Sequence, residues 1–248
     1  MKSPASGKRT IGLLGCGAFG RLMILHLSPR FDFKIYDPAL NSAPGEGCEL
    51  ATLAEAARCS TVILATPVSA MAEVVPRIAP HLQPGTLVID VGSVKAKPAA
   101  LMKAGLPDHV DILCTHPLFG PQSAKDGLLG LKIVLCPIRG RQARIIGRFL
   151  ARQLKLQVIF ATPEAHDSEL AVAQGLTHLI AQVLLKMEPL PDSMTTKSFD
   201  LIKSAIDMVR DDAREVLHAI EHDNPYAAGV RQRFFELAQE APLSFEAD

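Results

Sequence analysis

His116 closes the apolar run Val110–Thr115 and is followed at once by Pro117. Imidazole is the side chain whose unperturbed titration falls near neutral pH. A histidine held in place can therefore take a proton from a reacting hydroxyl. The proline biases His116 towards extended backbone, which helps to fix the direction of its ring. Ser93 holds a similar position after a second apolar run, within Asp90-Val-Gly-Ser-Val-Lys95. Its hydroxyl can hydrogen-bond His116 or the group that His116 deprotonates. Alternatively it caps the helix expected from about residue 94. Gln122 and Ser123, in the loop after His116, are candidate contacts to the same substrate. Further on, Gln174, His178 and Gln182 recur at i, i+4 and i+8. They form one polar line on an otherwise apolar helix. The line is either a hydrogen-bonded stripe at a helix–helix or dimer interface or, for His178, a group facing a cleft.

Gly15-Cys16-Gly17-Ala18-Phe19-Gly20 has G-x-G-x-x-G spacing. Such a motif is weak alone and informative between a strand and a helix, as here. The first glycine permits a tight turn, the second lets backbone approach a pyrophosphate, and the third lets helix and strand pack closely. The helix N-terminus then offers free N–H groups to phosphate. All six residues are expected to line a dinucleotide site. Asp37 lies 22 residues after Gly15, at the end of the next strand. A carboxylate there accepts from the ribose 2′-hydroxyl and repels a 2′-phosphate, which favours NAD over NADP. Lys34 and the loop 38–44 leave NADP open. Thr66 and Pro67, in Leu64-Ala-Thr-Pro-Val68, are expected at the carboxyl edge of the sheet, where ligands bind in open α/β folds.

The elements that must position these residues are legible as short apolar runs alternating with helical patterns. Strands are expected at Arg9–Leu14, 33–36, 61–65, 86–91, 110–115, 132–136 and 157–161, with helices near 18–29, 52–59, 69–82, 96–104 and 141–155. Thr52 and Glu55 have the spacing of a capping box. Alternation of this kind implies an α/β fold with a mostly parallel sheet. After Ala161 the strand signal stops, and a long apolar helix is expected over 163–187, with further helices from 198 to 241 interrupted at Asn224-Pro225. The expectation is a Rossmann-type domain over residues 1–160 and an all-α dimerisation domain over 161–248.

Composition bounds the function. The 26 basic and 26 acidic residues balance, which argues against an overall basic nucleic-acid binder. Residues 1–160 hold a basic excess of nine and residues 161–248 an acidic excess of nine, so the imbalance tracks the expected domain boundary. Arg141, Arg144, Arg148, Arg152 and Lys155 form a basic stripe along one helix, either a solvated face or a docking face. Five scattered cysteines with no C-x-x-C argue for a reducing compartment. The polar start without an apolar core implies no leader, and no apolar run is read as long enough to span a membrane. A cytoplasmic protein is expected. No cluster has metal-ligand spacing, and no metal is expected.

Several stretches together resemble the prephenate/arogenate dehydrogenases: Gly15–Gly20, Asp90–Lys95, Thr115-His-Pro-Leu-Phe-Gly-Pro121, Ala165-His-Asp167 and Gln174-Gly-Leu-Thr-His178. The resemblance runs from about Lys8 to Ala181. The His116 segment, with Ser198-Phe-Asp-Leu201, is more similar to the plant-type arogenate branch. The resemblance implies oxidative decarboxylation of a cyclohexadienol, either prephenate or arogenate, with NAD as hydride acceptor and His116 as base. It implies that Ser93 assists His116 and that His178 binds the substrate's side-chain end. It also calls for a cation to hold the ring carboxylate, for which Lys197, Lys203, Arg210 and Arg231 are candidates. The arginines suit a bidentate grip better. Asp200 is a candidate partner for the amino group of arogenate. The apolar helical domain implies a homodimer built through it. Two rivals stand beside this reading: another two-domain dehydrogenase of the β-hydroxyacid or imine-reducing type, and a non-catalytic NAD sensor, which needs neither Ser93 nor His116.

Overall fold

A computed structural model describes residues 7–240. Residues 1–6, which the leader expectation concerns, and Ala241, the expected end of the last helix, lie outside the described residues. The chain forms two compact units divided between Pro163 and Glu164.

The first unit holds one eight-stranded sheet in the order β3-β2-β1-β4-β5-β6-β7-β8. The strands are β1 (Arg9–Leu14), β2 (Phe31–Tyr36), β3 (Cys48–Leu50), β4 (Thr61–Leu64), β5 (Leu87–Asp90), β6 (Asp111–Pro117), β7 (Lys132–Arg139) and β8 (Gln157–Phe160). Neighbours pair in parallel except β6 and β7, which are antiparallel. The helices are α1 (Ala18–Leu27), α2 (Leu53–Ala57), α3 (Met71–Ile78), α4 (Ala96–Gly105) and α5 (Ala143–Gln153). Strands covered on both faces need continuous apolar runs, and these strands have them. Val62, Leu64, Val88 and Ile112 fill one core layer, while Leu13, Ile63, Ile89 and Leu113 fill the other.

Each expected strand is present, β1 with the expected bounds and the others with shifted ends. The addition is β3, a three-residue edge strand in a glycine- and proline-bearing loop, too short for a hydrophobic period to register. β7 runs on to Arg139 through Pro137, and a register shift lies opposite, between Ile112 and Leu113. A proline cannot donate to the ladder, so it is tolerated at such an irregularity. The capping box is present: Thr52 N–H donates to Glu55 Oε2 at 2.8 Å and Glu55 N–H to Thr52 Oγ1 at 3.3 Å. The basic stripe on and around α5 is exposed along its length.

A 24-residue helix, Pro163–Lys186, starts at the last residue of the first unit and opens the second. It comprises α6 (Pro163–Leu170), a π-helical segment (Ala171–Leu176) and α7 (Thr177–Lys186). Then come α8 (Lys197–Val209), α9 (Arg214–His218) with a π-helical segment (Ala219–Asp223), and α10 (Ala227–Glu240). The expectation that no segment is long and apolar enough to span a membrane is corrected. By length and composition this helix is, because its mean hydropathy of 1.2 tolerates the interspersed Gln174, Thr177 and His178. Its Val172, Ile180 and Val183 are exposed, as is Met187, which caps its end.

Candidate active site

Strand register carries the chain's chemical groups to one edge. Leu14, Leu64, Asp90 and Cys114 are level across β1, β4, β5 and β6. These strands are parallel, so Gly15, Ala65, Val91 and Thr115 all follow that row in the same direction, the first three leaving the sheet while β6 runs on to Pro117. Thr66, Ser93 and His116 follow within three residues of that row. Ligands of open α/β sheets bind at such an edge.

The glycine loop has the shape a dinucleotide needs. Gly15 has φ +91°, and a Cβ there would lie 2.6 Å from Ala65 O. A Cβ on Gly20 would lie 2.8 Å from Gly15 O, so α1 packs tightly onto the loop. A Cβ on Gly17 would meet no atom within 4 Å, which leaves open space over the backbone where a pyrophosphate approaches. Gly17 precedes α1 and provides no side-chain cap, so first-turn N–H groups are available to phosphate. Ala18, the first residue of α1, is exposed. Thr66 Oγ1 is buried without a hydrogen-bond partner among the described residues. Buried hydroxyls are rarely left so, and a ligand polar group over the edge would satisfy it. Pro67 beside it is exposed. These observations fit a bound dinucleotide.

Asp37 has a further duty that spacing did not indicate. Its Oδ2 accepts from Cys16 N–H at 2.7 Å and its Oδ1 from Ala39 N–H at 2.8 Å. The carboxylate therefore ties the glycine loop to the end of β2, with lone pairs remaining for ribose hydroxyls. Cys16 itself is buried, and burial pushes its thiol pKa up. Phe19 turns to Phe119 of the loop after His116, with ring centroids 6.2 Å apart.

His116 is buried at 4% exposure and Ser93 is half-buried. Ser93 does not cap α4: Lys95 precedes that helix, which starts at Ala96. Lys95 and Asp90 flank the Ser93 segment in sequence. Their side chains form an ion pair at 0% and 1% exposure. Lys95 Nζ also donates to Thr115 O at 2.7 Å, Thr115 Oγ1 donates to Asp90 O at 2.7 Å, and Gly92 N–H donates to Asp90 Oδ1 at 2.9 Å. Burial, reinforced by the Asp90 carboxylate, holds the adjacent Cys114 thiol well above its ordinary pKa. Gln122 is exposed, and Ser123 Oγ accepts from Gly120 N–H at 3.0 Å in a tight turn. Spacing could not signal the Lys95 pair, because a lysine is seldom buried.

In the helical unit most candidates are already engaged. His178 meets Gln174 O at 2.9 Å and Asp212 Oδ2 at 3.0 Å. Gln182 Nε2 donates to Glu221 Oε1 at 2.5 Å, as an interface stripe would. Lys203 is paired with Asp192, and Arg210 Nη2 lies 2.7 Å from Glu188 and 3.3 Å from Asp207. Both cations line a pocket of about 450 Å³ with the carboxylates that neutralise them. Arg210, one of the four candidate cations, thus has acidic neighbours on its own unit. Lys197 and Arg231 make no ion pair among the described residues, and Asp200 is exposed in the first turn of α8. His166 and Asp167 bond each other at 2.7 Å, both fully buried. Asn224 Nδ2 donates to Asp167 O at 2.8 Å, so the Ala165-His-Asp167 stretch ties α6 to the turn before α10. No group of three or more metal-ligating side chains is assembled among the described residues.

Fold and site define a Rossmann-type dinucleotide-binding unit followed by a helical unit. The family described as prephenate dehydrogenase, nucleotide-binding domain, matches residues 45–168, half of the chain. The chain belongs to the prephenate dehydrogenase family. Arogenate dehydrogenase 2, chloroplastic, of Arabidopsis thaliana is 32% identical over 165 residues, covering 62% of this chain and 44% of that protein. The chain spans less than half the length of the curated relatives it matches. Among solved structures, prephenate dehydrogenase from A. aeolicus, in complex with hydroxyphenyl propionate and NAD+, superposes with a TM-score of 0.74 at 19% identity, covering 96% of this chain and 90% of that one. The Synechocystis arogenate dehydrogenase gives 0.67 at 18% identity, covering 95% and 92%. At such identities the superpositions establish the fold.

Proposed function

We propose that this chain oxidatively decarboxylates prephenate or arogenate, yielding 4-hydroxyphenylpyruvate or tyrosine, as a step of tyrosine biosynthesis. The observation that carries the proposal is the level row Leu14, Leu64, Asp90 and Cys114. It brings a dinucleotide loop, a serine and a buried histidine to one sheet edge in a member of this family. Residues 15–20 hold the dinucleotide pyrophosphate, Asp37 its ribose and Thr66 a polar group above the edge. A bound nicotinamide, NAD in preference to NADP because of the Asp37 charge, supplies the hydride acceptor. His116 takes the proton of the ring hydroxyl as that carbon becomes a carbonyl. Ser93 orients His116 or the hydroxyl. The carboxylate on the opposite ring carbon leaves as CO₂, and its bonding electrons complete the aromatic ring. Arg231, which makes no ion pair among the described residues, carries a guanidinium suited to a substrate carboxylate. A sensor that only binds NAD has no use for His116 and Ser93 at this edge.

The helical unit pairs with a second copy through exposed Val172, Ile180, Val183 and Met187. Five free thiols support a reducing compartment such as the cytoplasm. The test is direct: the purified protein is given NAD with prephenate and, separately, with arogenate, and absorbance at the NADH band is followed. Turnover with at least one is expected. Silence with both, while NAD binds, overturns the proposal. Light scattering on the same sample is expected to give twice the chain mass.

A further inference from the structure

The β5–β6 ladder ends at the pair Asp90 and Cys114. β6 continues three residues further, pairing on its other side with β7, His116 opposite Val134. Thr115 thus lies one residue beyond the last pair of the β5–β6 ladder. On that side side-chain bonds tie Thr115 to the end of β5. Lys95 Nζ donates to the Thr115 carbonyl and to Asp90 Oδ1, and Thr115 Oγ1 donates to the Asp90 carbonyl. Asp90 Oδ1 also accepts from Gly92 N–H, which shapes the loop carrying Ser93.

We propose that Lys95 is a positioning residue for His116: by holding the Asp90 carboxylate and the Thr115 carbonyl together, it locks the strand ends that bear Ser93 and His116 into one register. Taking both charges out of water is costly, and apolar residues of similar volume often serve stability equally well. What an apolar pair cannot supply is directed bonds to the residue just before the base. His116 is then held between a pinned Thr115 and Pro117.

The proposal rests on the dehydrogenase activity proposed above, and its test keeps the two apart. The double variant Asp90→Asn/Lys95→Met removes both buried charges and is compared with Lys95→Met alone, the variant at risk of misfolding. The double variant is expected to melt near the wild-type temperature and to bind one NAD per chain with unchanged Kd. Its kcat is expected to fall at least tenfold with KM within a factor of two, and the NMR signal of the His116 ring to broaden or split. Lowered stability alone would reduce NAD stoichiometry along with rate and leave the ring signal of the folded fraction single. Wild-type kcat, or a single sharp ring signal, in the double variant overturns the positioning role. Should wild-type protein turn over neither substrate, the dehydrogenase proposal fails while the ring signal still decides for or against the brace.

Discussion

His178 lies between two acceptors, with Nδ1 at 2.9 Å from Gln174 O and Nε2 at 3.0 Å from Asp212 Oδ2. Neither partner can donate, so satisfying both requires a proton on each ring nitrogen. Burial alone pulls the imidazole pKa down. The Asp212 bond and charge, the Gln174 carbonyl and the Glu221 charge outweigh it, and the pKa is raised. The polar line on the long helix thus includes an imidazole whose protonated form is favoured by groups of its own unit.

That pairing predicts a pH-dependent stability. In the unfolded chain the group titrates near its ordinary value of about 6.5. With a higher value in the folded chain, the stabilisation is fully present below about 6.5 and is lost as pH rises through the folded pKa. Asp212→Asn is therefore expected to lower the urea midpoint clearly at pH 6 and much less at pH 9. A deficit of equal size at both values means His178 is not held as a cation by Asp212.

Gly12 and Gly17 separate packing from binding. A Cβ on Gly12 would lie 2.0 Å from the Ala56 carbonyl oxygen, where α2 crosses β1, and backbone cannot move aside cheaply. Overpacking of this kind costs about 1–3 kcal/mol or more. A Cβ on Gly17 meets nothing, and its φ of −66° suits alanine. Gly12→Ala is expected to lower the melting temperature by several degrees, whereas Gly17→Ala keeps it and weakens NAD binding at least tenfold. Unchanged NAD affinity in Gly17→Ala would show that the loop does not cradle the pyrophosphate.

The sheet and the glycine loop were legible because continuous apolar runs and glycine spacing are local signals. The edge holding Thr66, Ser93 and His116 followed from strand direction alone. What escaped depends on long-range geometry. Asp37 reaches back across 21 residues to Cys16 N–H, and Lys95 crosses to Thr115 on the next strand. The pairing of Arg210 with Glu188, 22 residues away in sequence and 2.7 Å away in space, is of the same kind. Asn224 was legible only as a helix interruption, while its amide bonds the carbonyl of Asp167 in another helix.

Asp37 sets two properties that one substitution resolves. Asparagine keeps the shape but loses the charge, and its amide nitrogen cannot accept from both Cys16 and Ala39 N–H groups. Asp37→Asn is expected to loosen the glycine loop, seen as faster amide exchange at Cys16. The ratio of NADP to NAD dissociation constants is expected to fall about tenfold, about 1.4 kcal/mol of relieved repulsion. A ratio unchanged from wild type places the ribose away from Asp37.

His116→Asn removes the base while leaving a polar group of similar reach at the end of β6. A positioned general base contributes roughly 10²–10⁴ in rate, so turnover is expected to drop by about that factor. The dinucleotide loop is built from β1 and α1, so NAD affinity is expected to hold within a factor of two. Because the lost interaction involves the proton in flight, kcat and kcat/KM are expected to fall together. A variant rate within threefold of wild type assigns the proton to another acceptor at this edge. Loss of NAD binding alongside turnover assigns His116 to holding the cofactor. The two constants, measured on one preparation by steady-state assay and fluorescence titration, distinguish these outcomes.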